Sequence, residues 1–238
     1  MARWLAIDFA QEVATVAIGE GETLVREREW PARQASEEGI REIGRIFAET
    51  GTTVANLDAL AWISGPGSFT GLRNAAATIQ GLAWAWDKPV ASVPHLAVLA
   101  YACRKPGLTI SVCACLDARM HELYWAFYPT ICAGLWPEAT IQVGPEADVH
   151  LPAGDWIGVG EVLDRAEYQS LRKRMVRVES CPPARAGSLL PLADLALRTG
   201  RMLDARAVAP LYVRHEVTKR DQSHFSVMRT GYDTGEQK

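Results

Sequence analysis

The densest chemical pattern in the sequence is Gly65-Pro66-Gly67-Ser68-Phe69-Thr70-Gly71-Leu72-Arg73. A Gly-Pro-Gly run re-aims a chain as it leaves a strand. Ser68 and Thr70 then offer hydroxyls to the open amides of a helix start. Glycine-rich turns ahead of helices often cradle phosphate. The spacing here is neither a Walker A loop, which would end on Lys-Ser/Thr, nor GxGxxG. A tight strand-to-helix turn is the plainer alternative. Asp8 and Asp117 make a second pattern, because each ends an apolar run and opens a short polar turn. Aspartate forms such turns unaided, so a structural role stands beside a metal or nucleotide role.

Other chemistries find little support. The histidines are His95, His121, His150, His215 and His224. No two are four residues apart, so a helical zinc or iron site has no visible ligand pair. Cys113 and Cys115 fall on one face of a strand, but two thiols without a second pair read as buried structural residues. Ser68, His95 and Asp117 could be written as a hydrolase triad. However, Ser68 lies in Pro-Gly-Ser-Phe-Thr, not in a G-x-S-x-G elbow.

The elements that must position these residues follow from periodicity. Arg3–Asp8, 12–19 and 23–30 read as three strands of an antiparallel meander. Ile40, Ile43 and Phe47 recur at helical spacing, with Ser36 as the expected N-cap and Gly51 as the stop. Residues 57–64 read as a strand, 70–86 as a helix, 88–92 as a strand and 93–103 as a helix. The 70–86 helix has almost no polar face apart from Arg73, Asn74 and Gln80. It is therefore a core helix or one shared between its own core and a partner. Residues 108–116 and 122–128 read as two more strands flanking Asp117. Aligning LAIDFAQEVATVAI with ACLDARMHELYWAFY suggests an internal duplication. Residues 129–152 read as irregular, 156–160 as a strand, 160–173 as a helix and 188–199 as a helix. The order is that of a mixed α/β protein.

Composition sets outer bounds. The chain has 238 residues, 48% hydrophobic and 22% charged, with a net charge of −3. That is an ordinary globular balance and excludes a uniformly basic nucleic-acid surface. No apolar run approaches a membrane span. Met1 to Asp8 lacks the basic and apolar regions of a secretory signal. Five cysteines at scattered spacings give no disulfide framework, which points to a reducing cytoplasm.

The string GPGSFTGLR closely resembles the signature of the TsaB family, also called YeaZ. Similarity extends to Leu5–Asp8, Leu116–Tyr128, Trp156–Glu161 and Pro210–Arg214, so it spans roughly residues 3 to 215. The resemblance implies two duplicated α/β lobes of the actin, sugar-kinase and Hsp70 class, the second smaller and degenerate. It implies lobes near 1–108 and 109–218, with a flexible polar tail over 219–238. It also implies a non-catalytic subunit that pairs with a homologous catalytic subunit, TsaD, in placing threonylcarbamoyl on adenosine 37 of tRNA. A P-loop ATPase, TsaE, would complete the complex, and tRNA would be met only through it. A self-dimer is an additional possibility. The class alternative is a stand-alone ATP-dependent transferase or peptidase.

Departures from the family pattern sharpen the site expectations. Phe9 and Ala10 follow Asp8 where relatives commonly carry Thr and Ser, and Ala35 stands where a His is frequent. Asp8 and Asp117 are therefore expected to be degenerate nucleotide turns. No metal or nucleotide is expected on this chain alone, with ATP used on the partner subunits. The expected partner face comprises Ser36, Ile40, Ile43 and Phe47 together with Gly65, Pro66, Gly67, Ser68, Phe69, Thr70, Gly71, Arg73, Ala76 and Ala77.

Overall fold

The structure is a computed structural model and describes residues 1–105, 107, 109–213 and 228–229. It divides into two compact units. The first comprises Met1–Val98, Gly134–Trp136 and Pro182–Tyr212; the second takes most of the rest.

In the first unit, β1 (Arg3–Asp8), β2 (Val13–Glu20) and β3 (Thr23–Pro31) form the expected meander. β4 (Ala59–Gly65) and β5 (Val90–Pro94) add to it in parallel, giving the order β3-β2-β1-β4-β5. β1 and β4 are nearly continuous apolar runs because both faces are covered. Helix α1 (Ala35–Thr50) packs Ile43 and Ile46 into the core, and α2 (Phe69–Trp86) packs Leu72, Ala75, Ile79 and Ala83. Gly51 ends α1 in the left-handed region, as expected of a C-terminal glycine. Gln34, not Ser36, occupies the N-cap of α1, because a 3-10 turn over Ala32–Gln34 already aligns the chain.

The second unit repeats this plan. β6 (Ile110–Arg119), β7 (Glu122–Ile131) and β8 (Thr140–Pro145) form a meander. β9 (Ile157–Val159) and β10 (Arg177–Glu179) extend it in parallel, in the order β10-β9-β6-β7-β8. The hand of each pairing matches its counterpart in the first sheet. The aspartates match as well: Ala10 N–H donates to Asp8 Oδ1 at 2.8 Å, and Arg119 N–H donates to Asp117 Oδ1 at 2.8 Å. The second copy is reduced, since no long helix joins β8 to β9 or β9 to β10.

Several expectations change. The 129–152 stretch contains β8, which the scatter of Pro and Gly concealed. The expected 160–173 helix is two 3-10 turns and a short α4 (Gln169–Lys173). Its buried residues Val162, Leu163, Tyr168 and Leu171 do not keep a helical period. The expected second lobe loses residues 182–212 to the first unit. There α5 (Leu190–Arg198) buries Leu190, Leu192 and Leu195, and a Cβ on Gly19 of β2 would lie 2.5 Å from Leu190. The helix over 93–103 is α3 (His95–Ala102). The tail 219–238 lies outside the described residues, apart from the two-residue strand β11 (Met228–Arg229) beside β8. Arg214, His215 and His224 also lie outside them.

Gly160 gives a direct test of the second unit. Its φ is +128°, and a Cβ there would lie 2.0 Å from the Cys115 carbonyl oxygen. Gly160→Ala is expected to lower stability by about 2 kcal/mol or more in urea titration. Gly154→Ala, at φ +115° with open space around it, is expected to cost less.

Candidate functional site

The 65–73 turn is built against the Asp8 turn. The Ser68 N–H donates to the Ala10 carbonyl at 2.9 Å. A Cβ on Gly71 would lie 1.9 Å from the Phe9 carbonyl oxygen, and one on Gly67 would lie 2.8 Å from Ala10. Gly65 adopts φ +127° beside the Leu211 carbonyl. Each glycine of the signature therefore answers a demand within this chain. Ser68 caps α2 by accepting the Gly71 N–H at 3.3 Å. Thr70 lies inside the first turn of α2 and makes no cap.

The Asp8 turn is covered by packed side chains. Phe9 is fully buried and stacks edge-on against Trp30, with ring centroids 5.6 Å apart. It also underlies α1, where a Cβ on Gly39 would meet its ring at 3.0 Å. On the same sheet the 3-10 turn Ala186–Leu189 is pinned by two bonds. The Ala186 N–H donates to Thr15 Oγ1 at 2.9 Å, and the Gly187 N–H donates to Glu27 Oε1 at 2.6 Å.

The two aspartates diverge in electrostatics. Asp8 is fully buried, and its Oδ2 has no hydrogen-bond partner among the described residues. Burial pushes its carboxyl up to about 7, with the Ala10 amide opposing and the Glu27 charge adding. Asp117 is only partly desolvated. The Arg119 amide and the Arg165 guanidinium, 2.9 Å away, outweigh that desolvation and hold it below the usual range.

Ser68 Oγ accepts the Gly71 N–H, and among the described residues no hydrogen bond joins it to His95. His95 Nδ1 lies 2.7 Å from the Gln11 amide nitrogen and 3.2 Å from the Pro66 carbonyl oxygen. Burial pushes His95 down to about 4, so it is neutral at physiological pH. Cys113 and Cys115 are buried with their sulfurs 3.8 Å apart. Among the described residues no group of three His, Cys, Asp or Glu could hold a metal. No helix among them is long and apolar enough to cross a membrane.

The structure divides the expected partner face. Ile43, Gly65, Pro66, Gly71 and Ala76 are turned into the chain's own core. Their side chains or backbone are buried within this chain, which helical spacing alone does not foretell for Ile43 and Ala76. Ser36, Ile40, Gly67, Ser68, Phe69, Thr70, Arg73 and Ala77 are exposed, and Phe47 is half-buried against Trp86. Beyond the expected face, four further residues are exposed: Gly44 on α1, and Gly81, Trp84 and Ala85 on α2. Ile40 is 57% exposed, Phe69 52% and Trp84 65%. A Cβ on Gly44 or Gly81 would meet nothing within 4 Å, so this chain's own packing does not require glycine at either. Their signal was a helical glycine, which costs stability without an evident local reason.

Comparison with known proteins identifies the relatives. A family model described as TsaD, tRNA N6-adenosine threonylcarbamoyltransferase, matches residues 29–157. The chain is 34% identical over 226 residues to the tRNA threonylcarbamoyladenosine biosynthesis protein TsaB of Escherichia coli K12, covering 90% of this chain and 96% of that one. The TsaB of Haemophilus influenzae is 28% identical, with 90% and 94% covered. A Pseudomonas aeruginosa protein of solved structure, described as similar to the peptidase YeaZ, superposes with a TM-score of 0.72 at 30% identity. That match covers 90% of this chain and all of the other. A structure described as YeaZ from the same organism gives 0.70.

Two measurements test this geometry. Asp8's folded value is raised, so the stability it confers is complete below about 4 and is lost as pH rises through about 7. Asp8→Asn mimics the neutral acid. Its stability relative to wild type is expected to improve by on the order of 2 kcal/mol between pH 5 and pH 8. A pH-independent difference would show that Asp8 is not desolvated in this way. Separately, Gly44→Ala and Gly81→Ala are each expected to raise the midpoint of denaturant unfolding, by about 0.5–1 kcal/mol in stability.

Proposed function

The chain belongs to the TsaB (YeaZ) family of tRNA threonylcarbamoyladenosine biosynthesis proteins, and for it we propose the role of a non-catalytic subunit that binds and activates a TsaD-type catalytic homologue. The observation that carries this reading is the outer face of α1 and α2. Ile40, Gly44, Ala77, Gly81 and Ala85 present small or apolar surface. Two helical glycines with no packing reason in their own chain leave room for another backbone to approach closely. The family model matched here is that of the catalytic homologue. A partner with equivalent helices could lay them against these two. Four helices meeting in this way suit a specific interface of on the order of 1,600 Å² in total.

The closed Asp8 turn supports the non-catalytic part of the reading. Phe9 fills core space, the Ala10 N–H is taken by Asp8 Oδ1 and the Ser68 N–H by the Ala10 carbonyl, so these amides are not offered to a nucleotide. This chain alone binds neither nucleotide nor metal. ATP is used on the TsaD-type partner or on a TsaE-type P-loop ATPase, and tRNA is met through the complex.

Two substitutions test the face. Ala77 is exposed and Ala76 is 8% exposed. Ala77→Glu is expected to keep its circular dichroism and melting temperature while weakening binding to the TsaD-type protein of the same organism at least tenfold. Ala76→Glu is expected to unfold or to lose several kcal/mol, because it buries a charge. Normal partner binding by a folded Ala77→Glu protein would place the interface elsewhere. Micromolar ATP binding or ATP turnover by the isolated chain would overturn the non-catalytic reading.

A further inference from the structure

Most arginines of the first unit are tied to carboxylates. Arg3 pairs with Glu20, Arg26 with Glu49, Arg28 with Glu42 and Arg198 with Asp194. Arg73 is different. It lies exposed on α2 and makes no ion pair among the described residues. Its guanidinium carbon sits 3.8 Å from the centroid of the Phe69 ring, and its Nε–H donates to the Tyr212 hydroxyl at 3.1 Å. The Tyr212 ring meets Phe69 at 5.9 Å, so the two aromatics frame the arginine together. The Tyr212 side is itself anchored, since the Leu211 N–H donates to the Ser64 carbonyl at 2.8 Å.

We propose that Arg73, held by Phe69 and Tyr212, is the charged anchor of the α1–α2 face and receives a carboxylate of the TsaD-type partner. The proposal rests on the reading of that face as the partner surface. Nε is spent on Tyr212, which leaves the two terminal nitrogens as a fork for end-on, two-bond pairing with an Asp or Glu. The stack and the tyrosine bond have already restricted the side chain, so less rotamer freedom is lost on docking. Arg73 sits one turn from Ala77 on the same helix, with Trp84 two turns beyond, and so lies along the exposed stripe. Trp84 is covered in the same manner by Arg206, whose guanidinium carbon is 5.2 Å from its ring. Aromatic residues and arginine are the types that dominate binding energy at protein interfaces. Lysine would supply the charge at this position but neither the planar stack nor the fork.

The test measures binding of the full chain to the TsaD-type protein of the same organism, by calorimetry over a range of salt. The variants are Arg73→Lys, Arg73→Gln, Tyr212→Phe and the face control Ala77→Glu, each first checked for an unchanged melting temperature. Arg73→Gln is expected to weaken binding about tenfold or more and to flatten its salt dependence. Arg73→Lys is expected to recover only part of that loss. Tyr212→Phe keeps the ring, loses the hydroxyl and is expected to weaken binding about threefold. Reversal to Arg73→Glu should be rescued by one Asp→Arg or Glu→Arg change on the partner. If Arg73→Gln binds like wild type with unchanged salt dependence while Ala77→Glu fails to bind, the anchor is overturned and the face stands. If Ala77→Glu also binds normally, the face itself is overturned, and the anchor with it. A loss on Arg73→Gln that Arg73→Lys fully restores would reduce the site to a bare charge and overturn the clamped fork.

Discussion

The first unit depends on one backbone-to-backbone approach, that of the Gly65–Gly71 turn against the turn after Asp8. The Ser68 amide reaches the Ala10 carbonyl at 2.9 Å, and Gly71 lies so close to the Phe9 carbonyl that no side chain fits between them. That approach sets where α2 begins and so which of its sides faces the sheet. It also turns Phe9 inward, where the ring meets Trp30 and supports α1 at Gly39. The turn after Asp8 thereby helps to hold two helices in place. The same contacts that bury the turn after Asp8 also position α1 and α2.

The second unit shows what the duplicated plan looks like without those contacts. Both copies use a three-strand meander extended by two parallel strands, with an aspartate bonded to the amide two residues on. Asp8 sits beneath packed aromatic and aliphatic side chains, and its carboxyl is pushed up to about 7. Asp117 keeps partial contact with water and gains Arg165, which helps hold it low. The same aspartate-to-amide bond therefore sits in opposite electrostatics, decided by what covers each turn. The tip after Asp117 holds Arg119, Met120 and His121 all at positive φ, a conformation that side chains disfavour. Met120 and His121 are exposed there, while Ala118, which follows Asp117 as Phe9 follows Asp8, is buried but small.

Much of this was legible in the sequence, and the boundary of legibility has physical causes. The meander, the Asp8–Asp117 echo, Ser68 as a cap and the unusual apolarity of α2 all follow from local pattern. What failed was orientation and long-range return. Ala76 and Ala77 are chemically alike, and only the packing of α2 against the core, with Ala75, Ile79 and Ala83, turns Ala76 inward. β8 hid in a Pro- and Gly-rich stretch because its stability comes from pairing with β7, not from its own residue types. The return of residues 182–212 to the first unit rests on Leu190 against Gly19 and on Ala186 against Thr15. Such contacts, more than 150 residues apart in sequence, leave no local periodicity.

The glycines separate two kinds of information that a family signature mixes. Gly65, Gly67, Gly71 and Gly160 each have a reason inside this chain: a positive φ, a neighbouring carbonyl, or both. They mark the fold and would be needed whether or not a partner existed. Gly44 and Gly81 have no such reason, sit in helix interiors where glycine costs about 1 kcal/mol relative to alanine, and face outward. The small outward positions of α1 and α2, more than the conspicuous glycine-rich turn, are therefore where surface chemistry supports a partner. The turn's contribution is to aim that surface and to present Arg73 at its edge.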